Sequence, residues 1–157
     1  MIGGPHTSVG YKDIPGAISS ILTQSFEDFE FIIVDDGSTD ESLRIIESYR
    51  DPRIKIIRSE TNVGLAGSLN RALEIARGQL IARMDADDIS GQDRFQKQVE
   101  FLRKNPGYHL VGTWSKMIDA AGNETGEMKP RRRPLKRFSN CLKCCMNWGI
   151  GTQAEAG

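Results

Sequence analysis

Ile14, Ile18, Ile21, Leu22 and Phe26 fall at intervals of three and four residues, a spacing that predicts an amphipathic helix over roughly 14–25. The pattern then changes. Phe31 to Val34 is a short unbroken apolar run rich in branched side chains, so it predicts a buried strand, broken at Gly37. Ser38, with Glu41 three residues on, forms a capping-box signature for a second helix, whose buried stripe is Leu43, Ile46 and Tyr49. The stretch "IKII" over 54–57 predicts a second strand, and Leu65, Leu69, Ala72, Leu73 and Ala76 mark a third helix closed by Gly78 as its left-handed cap. "QLIARM" reads as a third strand, Phe95, Val99 and Leu102 as a fourth helix stopped by "NPG", and "HLVGTW" as a fourth strand. "MIDAAGNETG" reads as a hairpin turning at Gly122-Asn123.

Helix and strand therefore alternate from residue 14 to about residue 114. Alternation of this kind specifies an α/β fold, a mostly parallel sheet flanked by helices, which binds its ligands beyond the carboxyl ends of its strands. Acids stand at two of those ends. Asp35 and Asp36 close the first strand, and Asp85, Asp87 and Asp88 follow the third in "RMDADD". Three carboxylates within four positions repel one another, so the cluster needs a cation or a set of donors to offset it. Carboxylates are hard oxygen ligands suited to Mg2+ or Mn2+, and Mg2+ is usually shared between one or two of them and a substrate's phosphates. Asp36 has two readings at this point, an acceptor for a ring N–H of a base or ordinary turn chemistry before a glycine.

Composition narrows the field. The 157 residues suit one domain, 38% hydrophobic and 27% charged, and 21 basic residues balance 21 acidic ones. That balance gives no electrostatic case for nucleic acid. No apolar run reaches the roughly 20 residues needed to span a bilayer, and the first 13 residues lack a signal-peptide core, so cytoplasmic residence is expected. Cys141, Cys144 and Cys145 form an odd cluster without nearby histidines, read as ordinary thiols rather than zinc ligands. Neither G-x-G-x-x-G nor a P-loop occurs. The helix before the first strand, and the lack of a proline-containing loop after Asp85, argue against a receiver-like signalling domain.

Three segments, "ISSILTQSFEDFEFIIVDDGSTDES", "DPRIKIIRSETNVGLAGSLNRALEIARGQLIARMDADDI" and "DRFQKQVEFLRKNPGYHLVGTW", together resemble the family 2 glycosyltransferases. The resemblance implies a GT-A fold, here apparently truncated at both ends, and metal-dependent transfer of a sugar, with inversion, from a nucleotide-diphosphate donor such as a UDP-sugar to an acceptor hydroxyl. Asp36 matches the family's base-contacting acid. Asp85 and Asp87 match its D-x-D motif, which holds Mn2+ or Mg2+ and the ribose and diphosphate, with Asp88 sharing in the metal site. Asn62, Gly64 and Asn70 match a stretch lining the nucleotide side of the cleft, Gly64 as a position where backbone comes close. The acceptor implied is a saccharide or a lipid-linked group, which would bring the chain to a membrane periphery.

The expected organisation is an atypical N-terminal segment over 1–13, the nucleotide-sugar-binding domain over 14–128, and a basic, cysteine-containing tail over 129–157, whose "KPRRRPLKR" reads as an exposed loop. Family members usually open on a strand that ends in a base-packing turn. Tyr11 is the residue of "MIGGPHTSVGYKD" that stands in that place. No catalytic base is assigned. Glu124 and Glu127 come too soon after the D-x-D motif, and Glu155 lies in the tail. The alternative expectation is thus a poorly active nucleotide-sugar-binding module.

Overall fold

The computed structural model describes residues 12–119 and 121–128, together with the backbone of 144–146. Its elements are α1 (Ile14–Leu22), β1 (Phe31–Asp35), α2 (Ser42–Ser48), β2 (Ile54–Arg58), α3 (Gly64–Ile75), β3 (Leu80–Ala82), α4 (Arg94–Lys104), β4 (Ser115–Ile118), β5 (Glu124–Met128) and β6 (Cys144–Met146). The expectations for Tyr11, for "KPRRRPLKR" and for Glu155 lie outside the described residues, as does Cys141.

β1 and β2 pair in parallel, Phe31 opposite Ile54 through Asp35 opposite Arg58. β3 pairs in parallel with the β6 backbone, Leu80 opposite Cys144. β4 and β5 form the antiparallel hairpin, whose turn places Gly122 at φ 83°. Among the described residues these ladders are separate two-stranded sheets, and β1 and β3 do not share one. The alternation fixes parallel pairing because each crossover carries a helix. Which strands become neighbours is settled by packing.

α1 does most of that packing. Ile14, Ala17, Ile18, Ser20 and Ile21 are all buried, and the four apolar ones serve two clusters. Ile14 and Ile18 meet Ile33 of β1, Ile46 of α2 and Ala86. Ala17 and Ile21 meet Met84 and Phe95 of α4, whose ring stands edge-on to Phe29 at 5.4 Å between centroids. One helix thus joins the end of β1 to the acidic loop after β3. Each fully buried Ile contributes about 1.5–3 kcal/mol relative to exposure, so this seam ties β1 to that loop substantially.

Four local expectations are corrected. α2 begins at Ser42 and not after Ser38. The Ser38 N–H instead donates to Asp35 Oδ1 at 3.1 Å, and Asp40 Oδ1 accepts from Ser42 N at 3.0 Å. Gly37, at φ 78°, turns the chain before the helix can start. α3 ends on Ala76 in an extended conformation, and Gly78 is not among the positive-φ glycines. The Arg77 N–H leaves the helix for Glu30 Oε1. Leu65 is exposed rather than part of the α3 stripe, whose buried residue is Ser68. "HLVGTW" is not a strand, and β4 starts just beyond it at Ser115. For α2 and α3 apolar spacing located the helix, while a side-chain acceptor or the local turn set its boundary.

Candidate functional site

β1 is half-buried at Phe31 and Ile32 and buried from Ile33 through Asp35. The two acids at its end are both 1% exposed, and each has donors. Asp35 caps the turn at Ser38. Asp36 reaches across to the start of α3, where Oδ1 accepts the Val63 N–H and Oδ2 the Gly64 N–H, both at 2.9 Å. Amides at a helix N-terminus lack partners within the helix, and the helix dipole favours a carboxylate there. Asn62 Oδ1 also accepts from Gly64 N at 2.9 Å, while Asn62 and Asn70 are exposed. Gly64 sits at φ 74° with nothing within 4 Å of where a Cβ would stand. Its glycine serves a left-handed backbone conformation, and within the chain itself the tight approach is at Gly37, whose Cβ would lie 3.2 Å from Asn62 N.

The acidic loop after β3 alternates in burial and turns at Ala86–Asp87, where the Asp88 N–H donates to the Asp85 carbonyl at 3.3 Å. Met84, Ala86, Asp88 and Ser90 are buried, whereas Asp87 and Ile89 are exposed and Asp85 is intermediate. Met84 and Ala86 plug into the two core clusters, while Asp85 stays partly exposed and Asp87 exposed. Asp85 pairs with the Arg83 guanidinium. Asp88 goes inward. Burial, reinforced by the charges of Asp85 and Asp87, pushes its carboxyl up to about 6, with Arg94 as the opposing favourable charge.

Among the described residues no three carboxylate, imidazole or thiolate side chains converge on one point. A cation shared with phosphates does not require that many. The outward pair Asp85 and Asp87, hard-oxygen and solvent-accessible, fits such an ion. Asp88 is buried beside that pair, close enough for their charges to act on it.

Sequence reasoning missed what holds the loop in place. Gln24, 4% exposed, donates from Nε2 to the Gly91 carbonyl at 2.8 Å and accepts the Phe95 N–H at 3.1 Å, capping α4 from α1. Ser20 Oγ accepts the Ser90 N–H at 2.9 Å. Arg94 is buried at the first position of α4. One signal was available, since a cation at a helix N-terminus opposes the dipole and calls for a local reason.

Parallel βαβ pairing with acids beyond the strand ends, a capped helix N-terminus on one side and a D-x-D loop on the other, defines an α/β transferase domain of the GT-A type. Residues 8–151 match the family described as Glycosyl transferase family 2, and the chain belongs to that family. It is 44% identical over 139 residues to EpsE of Bacillus subtilis (strain 168), covering 83% of this chain and 50% of that protein. It is 36% identical over 101 residues to the Escherichia coli UDP-Glc:alpha-D-GlcNAc-diphosphoundecaprenol beta-1,3-glucosyltransferase WfgD, covering 64% of this chain and 40% of that one. The crystal structure of S. aureus TarS superposes with a TM-score of 0.57 at 28% identity, over 82% of this chain and 22% of TarS. The chain spans about half the length of the curated relatives it matches. Family membership sets aside the receiver-like reading. No helix among the described residues is long and apolar enough to cross a membrane.

Proposed function

We propose that this chain binds a nucleotide-diphosphate sugar, a UDP-sugar, for transfer with inversion to the hydroxyl of a saccharide or lipid-linked acceptor. The observation that carries the reading is the alternation from Met84 to Asp88, which anchors the loop by its apolar residues and leaves Asp85 and Asp87 toward solvent. In this reading Asp85 and Asp87 hold Mn2+ or Mg2+ together with the donor's diphosphate. Such an ion would offset the negative charge that grows on the departing diphosphate oxygen.

The protein's own groups do the rest. Asp36 holds the Val63–Gly64 backbone against the end of β1 and so frames the base side of the cleft, with Asn62 and Asn70 on its exposed edge. Its 1% exposure supports a role through that backbone more than a direct contact with the base. Arg83, paired with Asp85, keeps a positive charge beside the diphosphate position. Asp88, turned inward, supports the loop from beneath. The name of WfgD supports a UDP-linked donor and a lipid-diphosphate acceptor for this family branch. Glu124 and Glu127 are exposed on the β4–β5 hairpin, Glu124 paired with Lys116, so neither takes the general-base role in this proposal.

Titration calorimetry with UDP tests the reading. UDP is expected to bind in Mn2+ and to weaken at least about tenfold in EDTA, the loss typical of a disrupted metal site. Equal affinity in the two conditions would overturn the cation role.

A further inference from the structure

Arg94 is 4% exposed and stands where the helix dipole disfavours it, yet among the described residues no carboxylate lies within ion-pair distance of it. Burial lowers its pKa to about 10, which leaves it charged at neutral pH. A buried cation without a direct counter-ion is costly, and a Met or Leu would pack there more cheaply. Its contacts show what it does. Nε donates to Ser90 Oγ at 2.8 Å, and Nη1 donates to the main-chain carbonyl of Arg83 at 3.3 Å. Arg83 and Ser90 are the two feet of the loop that carries Asp85 and Asp87. One planar guanidinium therefore spans the loop from beneath.

The second foot is anchored again. The Ser90 N–H donates to Ser20 Oγ, and Gln24 Nε2 donates to Ser90 Oγ at 3.1 Å, so Arg94 is fixed relative to α1. The guanidinium also lies over the Phe95 ring, 4.8 Å from its centroid, which limits its rotation.

We propose that Arg94 is a positioning residue for the Asp85–Asp87 site: by holding the Arg83 carbonyl and the Ser90 hydroxyl it fixes the span of the loop and hence the direction of the two carboxylates. The proposal rests on the donor-site reading above. Mg2+ demands near-ideal octahedral geometry, so a loop whose feet drift apart presents its carboxylates poorly even when the fold is intact. A lysine cannot substitute, because its single ammonium lacks the rigid fork that bonds both feet at once.

The test compares wild type, Arg94→Lys and Ser90→Ala. It measures UDP binding in Mn2+, uridine binding without metal, and amide hydrogen exchange over residues 84–90 and 31–35. Arg94→Lys is expected to weaken Mn2+-dependent UDP binding by about 10- to 100-fold, as loss of a metal site's supporting partners does. Uridine affinity should stay within about twofold, and exchange should quicken over 84–90 only. Ser90→Ala should move in the same direction by less, since it removes one tether, and it serves if Arg94→Lys does not fold. Unchanged Mn2+-dependent affinity in both variants overturns the proposal. So does an equal loss of uridine and UDP binding, the mark of general destabilisation. Metal-independent UDP binding by the wild type overturns the donor-site reading itself, and with it the proposal.

Discussion

The Asp36 carboxylate accepts the Gly64 N–H at 2.9 Å and so ties the end of β1 to the first residue of α3. Its other oxygen takes the Val63 N–H at the same distance. The two acids that end β1 therefore have separate structural tasks, Asp35 at the Ser38 turn and Asp36 at the helix. Through Asp36 the geometry of the base side of the cleft depends on a bond 27 to 28 residues apart in sequence.

Replacing Asp36 should expose that dependence. Asp36→Ala leaves the Val63 N–H without its acceptor and the Gly64 N–H with Asn62 Oδ1 alone, and should destabilise the chain by about 1–3 kcal/mol. Hydrogen exchange at Val63 and Gly64 should accelerate, and UDP affinity should fall with it. Asp36→Asn, which retains one acceptor oxygen, should do less of both. Unaltered exchange at these two amides would show that the bonds do not hold the loop.

Gly37 and Gly64 should respond differently to alanine although both have positive φ, 78° and 74°. Gly64→Ala meets open space and should cost only the left-handed strain, about 1–2 kcal/mol. Gly37→Ala adds a Cβ 3.2 Å from Asn62 N and 3.3 Å from the Thr61 carbonyl carbon, so it must also push the loop away. Thermal melting should rank Gly37→Ala well below Gly64→Ala, and equal melting temperatures would refute the close approach.

Asp87 is exposed and carries little of the fold. Asp87→Ala should change stability by no more than about 0.5 kcal/mol. The same variant should lose Mn2+-dependent UDP binding while keeping metal-free uridine binding. A large drop in melting temperature would mean that Asp87 is structural.

The Asp51–Arg53 pair gives a pH signature away from the site. Hydrogen bonds from the Arg53 side chain, then from its backbone N–H, hold the Asp51 carboxyl down at about 2. A depressed carboxylate contributes stability above its unfolded pKa, near 4, and loses that contribution as pH falls toward 2. Acid titration of the melting temperature should therefore show wild type and Asp51→Asn apart at pH 6 and converging as pH falls from 4 to 2. A constant gap across that range would rule out the linkage.

The sequence by itself determined the elements and their kind. Three-and-four spacing at Ile14, Ile18 and Ile21 specified α1, and the branched run Phe31–Val34 specified a covered strand, because helical and extended backbones each bring their own period of side chains to one face. The parallel βα alternation placed the acids beyond strand ends, and the motifs of "VDDGS" and "DADD" carried the family. Tertiary structure decided the rest. It split "DADD" into an outward pair and an inward Asp88, because Met84 and Ala86 had core to enter. It turned Asp36 toward α3, and it buried Arg94 under the loop, where its guanidinium reaches both Arg83 and Ser90. Apart from Ser90, four residues before Arg94, these hydrogen-bond partners are far apart in the sequence. A hydrogen bond between residues far apart, or across a loop, leaves no repeat in the chain, and only packing brings its two ends together.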